Sequence, residues 1–182
     1  SVILQWKLLN APRYNSNFEI WKRTAFSNNA FVYVDSVSRN DSVFIHKNQN
    51  TNQTAFEYNV RIKNLCGDYI TAPYHRNILL TGRKANDDNY AVVLNWNNYY
   101  GWNSVKHYQL YRKLGDHGSY ELYDLYSDTT ASYKNGFDSY YQCYRIRAIE
   151  NIGGYEQESW SNEICFGFDP LVWIPNAFTP DG

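Results

Sequence analysis

The feature that most constrains the fold of this chain is an internal repeat. Four short segments of the first half reappear, in the same order, in the second half. The matched segments are 2–6 with 92–96, 18–23 with 108–113, 58–62 with 144–148, and 77–79 with 163–165. The first two pairs are offset by 90 residues and the last two by 86. Collinear matches at a nearly constant spacing indicate two copies of one structural unit.

The repeated segments alternate apolar and polar residues and are bounded by Asn, Asp, Gly or Ser. Tyr, Val, Ile, Phe and Trp dominate them, which is typical of strands on a half-buried sheet. No stretch carries a sustained helical period. The predicted strands are 2–6, 18–23, 31–37, 56–63, 78–80, 92–96, 108–113, 120–126, 141–149 and 163–166. The pattern therefore predicts an all-β protein built from antiparallel sandwiches.

Composition excludes several functional classes. Lys and Arg number 17 against 18 Asp and Glu, for a net charge of −1, and the chain lacks the basic stripe of a nucleic-acid-binding protein. No apolar run approaches the roughly 18 residues that a membrane-spanning helix needs. We therefore expect no nucleic-acid partner and no membrane span. The chain has no Met, even at position 1, so we expect it to be a fragment or a processed product.

Each repeat unit opens with a strand that ends in Trp, at Trp6 and Trp96. An aromatic strand with basic residues follows, and a later strand begins with Tyr58 in one unit and Tyr144 in the other. This order resembles the fibronectin type III module. The resemblance implies two tandem immunoglobulin-like (fibronectin type III) sandwiches whose Trp residues occupy equivalent core positions.

The same resemblance implies domain boundaries. One fibronectin type III-like domain is expected at 1–81 and a second at 82–168. The strand that opens the family's fold should precede Val2, so the first domain is expected to lack it. The polar stretch 81–89 is predicted to be a short linker.

Residues 169–182 contain three prolines and no alternation, which predicts an extended segment. Its last part resembles the opening of the gliding-motility-associated C-terminal domain, the type B sorting signal of the type IX secretion system. The residues that carry the motif are Ile174, Pro175, Asn176, Phe178, Thr179, Pro180, Asp181 and Gly182.

This second resemblance implies a secreted or surface-attached protein of a Gram-negative bacterium. The expected partners are the type IX translocon or outer-membrane shuttle components, and the expected location is extracellular, at the cell surface. No cofactor is expected. Calcium would enter only through a continuation of the acidic Asp181-Gly182 sequence.

Hairpin symmetry relates two of the three cysteines. Cys143 and Cys165 lie on strands joined by a turn near Gly153-Gly154, and residue 154 is midway between them. In an unbulged hairpin they would face each other on the outer side of the sheet, close enough to form a disulfide. The alternative is two free surface thiols. Cys66 has no partner in its own unit and is expected to be unpaired.

Catalytic and metal-binding patterns are missing from the sequence. The four histidines form no HxH or HExxH pair, and there is no nucleophile elbow or phosphate-binding glycine loop. The aromatic loop with Tyr99, Tyr100 and Trp102 could stack on a sugar, or it could plug the end of the sandwich beside Trp96.

These observations favour a non-enzymatic role as stalk or spacer modules of an adhesin-like surface protein. One alternative is a β-sandwich module that binds a carbohydrate or a surface protein, and another is an accessory domain of a secreted hydrolase. Burial of the aromatic loop discriminates between the spacer and the binding module, because a ligand-binding platform must be exposed.

Overall fold

Fifteen strands form the regular structure of the described residues, and no helix occurs among them. The computed structural model describes residues 1–7, 16–86, 90–127, 129, 132–135, 139–152 and 155–169, with the backbone alone for 132–135, 151, 152 and 155. Since the described part holds no helix, it also holds none that could cross a membrane.

The first sandwich consists of strands β1 to β7. Their bounds are β1 Val2–Gln5, β2 Phe18–Thr24, β3 Val32–Val37, β4 Val43–His46, β5 Phe56–Lys63, β6 Tyr69–Thr71 and β7 His75–Arg76. One antiparallel sheet pairs β1 with β4. The other has the order β3-β2-β5-β6, and β7 pairs with β5 beyond the end of β6. Ile20, Phe56 and Tyr58 are buried in the core between the sheets.

The second sandwich consists of strands β8 to β15. Their bounds are β8 Leu80–Lys84, β9 Ala91–Trp96, β10 His107–Leu114, β11 Glu121–Tyr126, β12 Ser132–Asn135, β13 Tyr141–Ile152, β14 Tyr155–Trp160 and β15 Ile164–Gly167. One sheet has the order β12-β9-β8, and the other has β11-β10-β13-β14 with β15 paired to β13. Leu94, Leu110 and Ile146 are fully buried between them. The predicted all-β fold with two sandwiches is therefore confirmed.

The two sandwiches repeat each other in detail. The β2–β3 ladder shifts register between Ile20 and Trp21, and the β10–β11 ladder shifts at the positions 90 residues later. Trp6 lies edge-on to Phe18, with ring centroids 5.4 Å apart, and Trp96 lies edge-on to Tyr108 at 6.1 Å. A shared bulge and a shared ring pair extend the duplication seen in the sequence to the packing of the core.

The sequence missed several short or polar strands. It did not predict β4, β6, β7, β8, β12 or β14 as strands of their own. Of the predicted strand 78–80, only Leu80 lies in a strand. Residues 81–84 of the predicted linker belong to β8, which pairs with β9 along its whole length, so the linker prediction is wrong for these residues.

The first sandwich has no counterpart of β8 in the described residues, since β1 pairs only with β4. The expectation that the first domain lacks its opening strand stays a prediction. The predicted extended segment from residue 170 onward, including the sorting motif at 174–182, lies outside the described residues.

Candidate functional site

The most elaborate arrangement of polar and aromatic side chains lies where the two sandwiches meet. We call it the junction. Strand β7 pairs with β5 of the first sandwich, and β8 begins the second sandwich four residues later. The backbone N–H of Arg76 also donates to the carbonyl of Tyr100, at 2.8 Å. One short segment is thus hydrogen-bonded to both sandwiches.

Two asparagine side chains fix the connecting residues to the second sandwich. Asn97 accepts a hydrogen bond from the N–H of Leu79 at 2.7 Å and donates to the carbonyl of Asn77 at 3.1 Å. Asn162 binds both backbone groups of Leu80, at 2.7 and 2.9 Å. These amides pair backbone groups that would otherwise be free in a connector, and so restrict its dihedral angles.

The first sandwich also forms hydrogen bonds with the connector, which comprises residues 75–80. The side-chain carbonyl of Asn77 accepts a 2.6 Å hydrogen bond from the N–H of Phe56, and the N–H of Asn77 donates back to the carbonyl of Phe56 at 3.2 Å. Ile78, the next residue, is fully buried in the core of the second sandwich. Adjacent connector residues are therefore anchored in different sandwiches.

A buried ion cluster lies beside the connector. The side chain of Glu57, on β5, is only 1% exposed. One of its oxygens accepts from Nε of Arg23 at 2.5 Å, and the other accepts from Nε and Nη2 of Arg76 at 2.9 and 2.5 Å. Burial by itself would raise the pKa of Glu57, but the hydrogen bonds and charges of the two arginines outweigh it, so the pKa lies below its ordinary value.

Aromatic rings cover the guanidinium groups of this cluster. The Arg76 guanidinium lies 3.9 Å from the ring centroid of Phe26, and that of Arg23 lies 4.5 Å from the centroid of Phe31. Tyr74 of the first sandwich stacks on Tyr100 of the second, with centroids 4.7 Å apart and planes 18° apart. The rings shield the ion pairs from water and contribute cation–π attraction.

His75 provides a further contact across the junction. Its Nδ1 hydrogen-bonds to the hydroxyl of Tyr99 at 2.5 Å. Burial lowers the pKa of His75, so the imidazole is neutral near pH 7. Gly101 packs so closely on this ring that an added Cβ would lie 2.4 Å from two of its atoms. The glycine therefore permits the close approach of the two sandwiches.

The predicted aromatic loop takes part in this junction. Tyr99 and Trp102 are partly buried against the core of the second sandwich, with ring centroids 3.9 Å apart. Tyr100 is 49% exposed, but one face of its ring is covered by Tyr74. The structure thus places Tyr99 and Trp102 at the end of the sandwich, while Tyr100 lies against the neighbouring sandwich and stays half exposed.

A disulfide joins Cys143 and Cys165 in the second sandwich. The two residues are direct partners on β13 and β15, as hairpin symmetry predicts, and Cys143 is only 1% exposed. The symmetry argument assumed an unbulged hairpin, but the hairpin contains a bulge, so that assumption is wrong. Pairing along β14 is shifted by one residue, and an extra residue near Ser161 restores the register at β15. Cys66 is free and exposed, as predicted.

The disulfide and the ion pair join corresponding strands of the two sandwiches. Glu57 pairs with Arg76 between β5 and β7, and Cys143 pairs with Cys165 between the corresponding strands β13 and β15. Each sandwich therefore joins its two equivalent strands by one strong cross-strand link, ionic in the first and covalent in the second.

Glu163 lies beside this disulfide. Its ligand oxygen and the two sulfurs lie within 4.8 Å of one another, so the three residues could be considered as metal ligands. Both sulfurs are already bonded to each other, and Lys113 and Arg145 each approach the Glu163 carboxylate to 3.6 Å. The oxidised cluster is thus suited to a cross-link and not to a cation.

Removal of the disulfide gives a testable result. It closes a loop with a sequence separation of 22 residues. The double substitution Cys143→Ala/Cys165→Ala is expected to lower the free energy of unfolding of the second sandwich by about 3 kcal/mol on the chain-entropy model. Urea unfolding of the oxidised chain and of the variant measures this.

The matched control for the disulfide is Cys66→Ala, which should leave stability within about 0.5 kcal/mol because this thiol is exposed and unpaired. Non-reducing mass spectrometry should find one alkylated cysteine per chain. Alkylation of all three cysteines without reduction would contradict the assignment.

Comparison with known proteins adds no assignment: no protein-family model matches the chain, and no curated protein is significantly similar to it.

Sequence reasoning missed the junction residues other than the aromatic loop. Glu57, Arg23 and Arg76 are charged residues on otherwise ordinary strands, and in the second unit their places are taken by Cys143, Lys113 and Cys165. The available signal was this difference, since the repeat aligns Glu57 with a cysteine. The same repeat aligns Arg76 with Asn162, so the correspondence of Arg76 with Cys165 is visible only in the strand pairing.

Proposed function

We propose that the chain is a non-catalytic spacer within a larger, adhesin-like protein of the bacterial cell surface. Its two sandwiches form a relatively rigid stalk that holds another part of the protein away from the surface. The observation that carries this proposal is the connector at residues 75–80, because its backbone is hydrogen-bonded on both sides of the junction. A free linker would leave these groups to water.

Two further features support this proposal. The Tyr74–Tyr100 stack and the Arg76 guanidinium, 5.4 Å from the ring centroid of Tyr100, add contacts between the sandwiches beyond the connector itself. The Cys143–Cys165 disulfide suits an oxidising, extracytoplasmic setting. The export route rests on the resemblance of residues 174–182 to a type IX sorting signal, and the fibronectin type III assignment rests on the repeat and its Trp positions.

The spacer role predicts that the sandwiches tumble together. Gly101→Ala places a Cβ against the His75 ring at a residue whose φ is +131°, so we expect it to force the junction open. Backbone 15N relaxation of the intact chain should give both sandwiches one rotational correlation time, and the variant should give two. Gly67→Ala is the matched control, because φ is +87° there too but nothing lies within 4 Å of the added Cβ. Independent tumbling of the unmodified sandwiches would contradict the spacer role.

The export proposal has its own test. A reporter fused to residues 169–182 with their natural continuation should be secreted by a bacterium that has the type IX system and retained in a strain lacking its translocon. The matched control is the same fusion with Pro175, Asn176 and Phe178 replaced by Ala, which should be retained in both strains. Equal secretion of the two fusions would show that the motif is not the signal.

A further inference from the structure

The outer face of the β3-β2-β5-β6 sheet carries a band of rings and cations that plays no part in the junction. Tyr33 on β3 is paired with Trp21 on β2, and Tyr69 on β6 is paired with Lys63 on β5. Arg61 lies two residues before Lys63 on the same face. The band therefore crosses the sheet, with a ring at each side and cations between them. We call it the aromatic–cationic band.

Each cation in the band lies against a ring. The Arg61 guanidinium is 4.1 Å from the ring centroid of Trp21, and Nζ of Lys63 is 4.8 Å from that of Tyr69. The rings at the two sides are accessible, since Tyr33 is 52% and Tyr69 45% exposed. The positive charges are thus held in place on a surface that also offers apolar area.

The hydrogen-bonding capacity of these cations is largely unused. Arg61 donates from Nε to Asn59 at 3.2 Å. Among the described residues, its two Nη groups and Nζ of Lys63 have no hydrogen-bond or salt-bridge partner. Glu19 is the cross-strand neighbour of Arg61, but its oxygens accept from Trp21 and Tyr69 instead. The paired fork of Nη donors suits a carboxylate or a sulfate.

The second sandwich provides an internal comparison. Arg147 occupies the position of Arg61, and Tyr111 that of Trp21. Arg147 binds Gln109, Tyr111 and the carboxylate of Glu158, so both of its Nη groups are occupied. Lys63 corresponds to Ile149, which is buried. The Nη groups of the arginine at this repeated position are therefore occupied in the second sandwich, whereas in the described part of the first sandwich they have no partner.

We propose that the aromatic–cationic band binds an anionic polysaccharide, one that carries uronate or sulfate groups. Arg61 and Lys63 bind the anionic groups, and the rings of Tyr33 and Tyr69 pack on the apolar faces of sugars. From β3 to β6 the band spans three interstrand spacings, about 14 Å, which accommodates a short run of sugars. This inference does not depend on the spacer role.

The direction of the band favours a sugar polymer over an acidic peptide. A peptide that recognises a sheet usually adds along an edge, parallel to the strands, where backbone hydrogen bonds are free. The band runs across four strands whose backbones are already paired. Its ligand is thus recognised by side chains alone, through charge and ring contact.

Isothermal titration of the intact chain tests this proposal. Polygalacturonate presents carboxylates, chondroitin sulfate presents both anionic groups, and dextran is the neutral comparison. We expect binding to at least one acidic polymer and none to dextran. Arg61→Gln/Lys63→Gln should weaken binding by at least about tenfold, the equivalent of one lost charge-assisted hydrogen bond. Tyr33→Ala should weaken it about threefold or more, because ring contact is lost.

The matched control is Lys47→Gln/Lys106→Gln, which removes two positive charges from exposed positions outside the band. It should change the affinity by less than about twofold, since these charges act only at a distance. Circular dichroism verifies that every variant is folded. An equal loss in both double variants, or no binding to either acidic polymer, would overturn the proposal. Binding of polyglutamate with equal affinity and no effect of Tyr33→Ala would assign the band to acidic proteins instead.

Discussion

Trp96→Ala is expected to lower the free energy of unfolding of the second sandwich by about 3–5 kcal/mol, the usual cost of truncating a buried Trp. The ring is 6% exposed and lies edge-on to Tyr108 and Tyr126. Within the described residues, the indole N–H has no hydrogen-bond partner, so the loss comes from packing alone. Urea unfolding followed by far-ultraviolet circular dichroism measures it.

Two further Trp substitutions show whether the loss at Trp96 comes from its burial. Trp6→Ala should cost less, because Trp6 is only partly buried in the equivalent position of the first sandwich. Trp160→Ala is the matched control: its ring is 39% exposed on the outer face, so its removal should cost about 1 kcal/mol or less. A loss at Trp96 no larger than at Trp160 would mean that Trp96 is not the centre of the core.

Glu57→Gln is expected to lower the free energy of unfolding of the first sandwich by about 3 kcal/mol at pH 7. The substitution keeps the size of the side chain but leaves Arg23 and Arg76 without the buried charge that compensates them. Because Arg76 also donates its backbone N–H to Tyr100, we expect the junction to loosen as well. Urea unfolding and the relaxation measurement described for the junction follow the two effects separately.

The contribution of Glu57 to the free energy of unfolding decreases at acidic pH. Its pKa is lower in the folded chain than the ordinary value of 4.5, so the folded state binds fewer protons. The stabilisation is therefore complete above the ordinary pKa and is lost as the pH falls through the lower, folded-state value. The stability difference between the wild type and Glu57→Gln should shrink over that acidic range.

Glu158→Gln is the matched control for this effect. Glu158 also pairs with an arginine, Arg147, but its side chain is 46% exposed. Solvent screens such a pair, so we expect a loss of about 1 kcal/mol or less. If the two substitutions cost the same, the burial of Glu57 would contribute nothing, and the junction cluster would be an ordinary surface ion pair.

The junction and the disulfide show how a duplicated unit can diverge. The equivalent cross-strand link is ionic in the first sandwich, where a second sandwich covers it with Tyr100. It is covalent in the second sandwich, between Cys143 and Cys165. An ion pair gains strength when a neighbour excludes water from it, whereas a disulfide does not depend on such a neighbour.

The amino-acid sequence by itself determined the strands that carry the two cores, their duplication and the cysteine pair. These features follow from periods of two residues along a strand and from an offset near 90 residues, so they can be read without knowing any long-range contact. The equivalence of Trp6 and Trp96 belongs to the same class, because each ends a strand with the same alternation.

Tertiary structure alone decided the junction and the aromatic–cationic band. Strand β8 is polar and exposed on one face, so only its pairing with β9 makes it a strand. Glu57 meets Arg76 through pairing between separate strands. Among the described residues, Arg61 and Lys63 lack side-chain partners like those that Gln109, Tyr111 and Glu158 provide to Arg147. Such contacts depend on which strands become neighbours and which side chains remain uncovered, and no local period in a sequence encodes that.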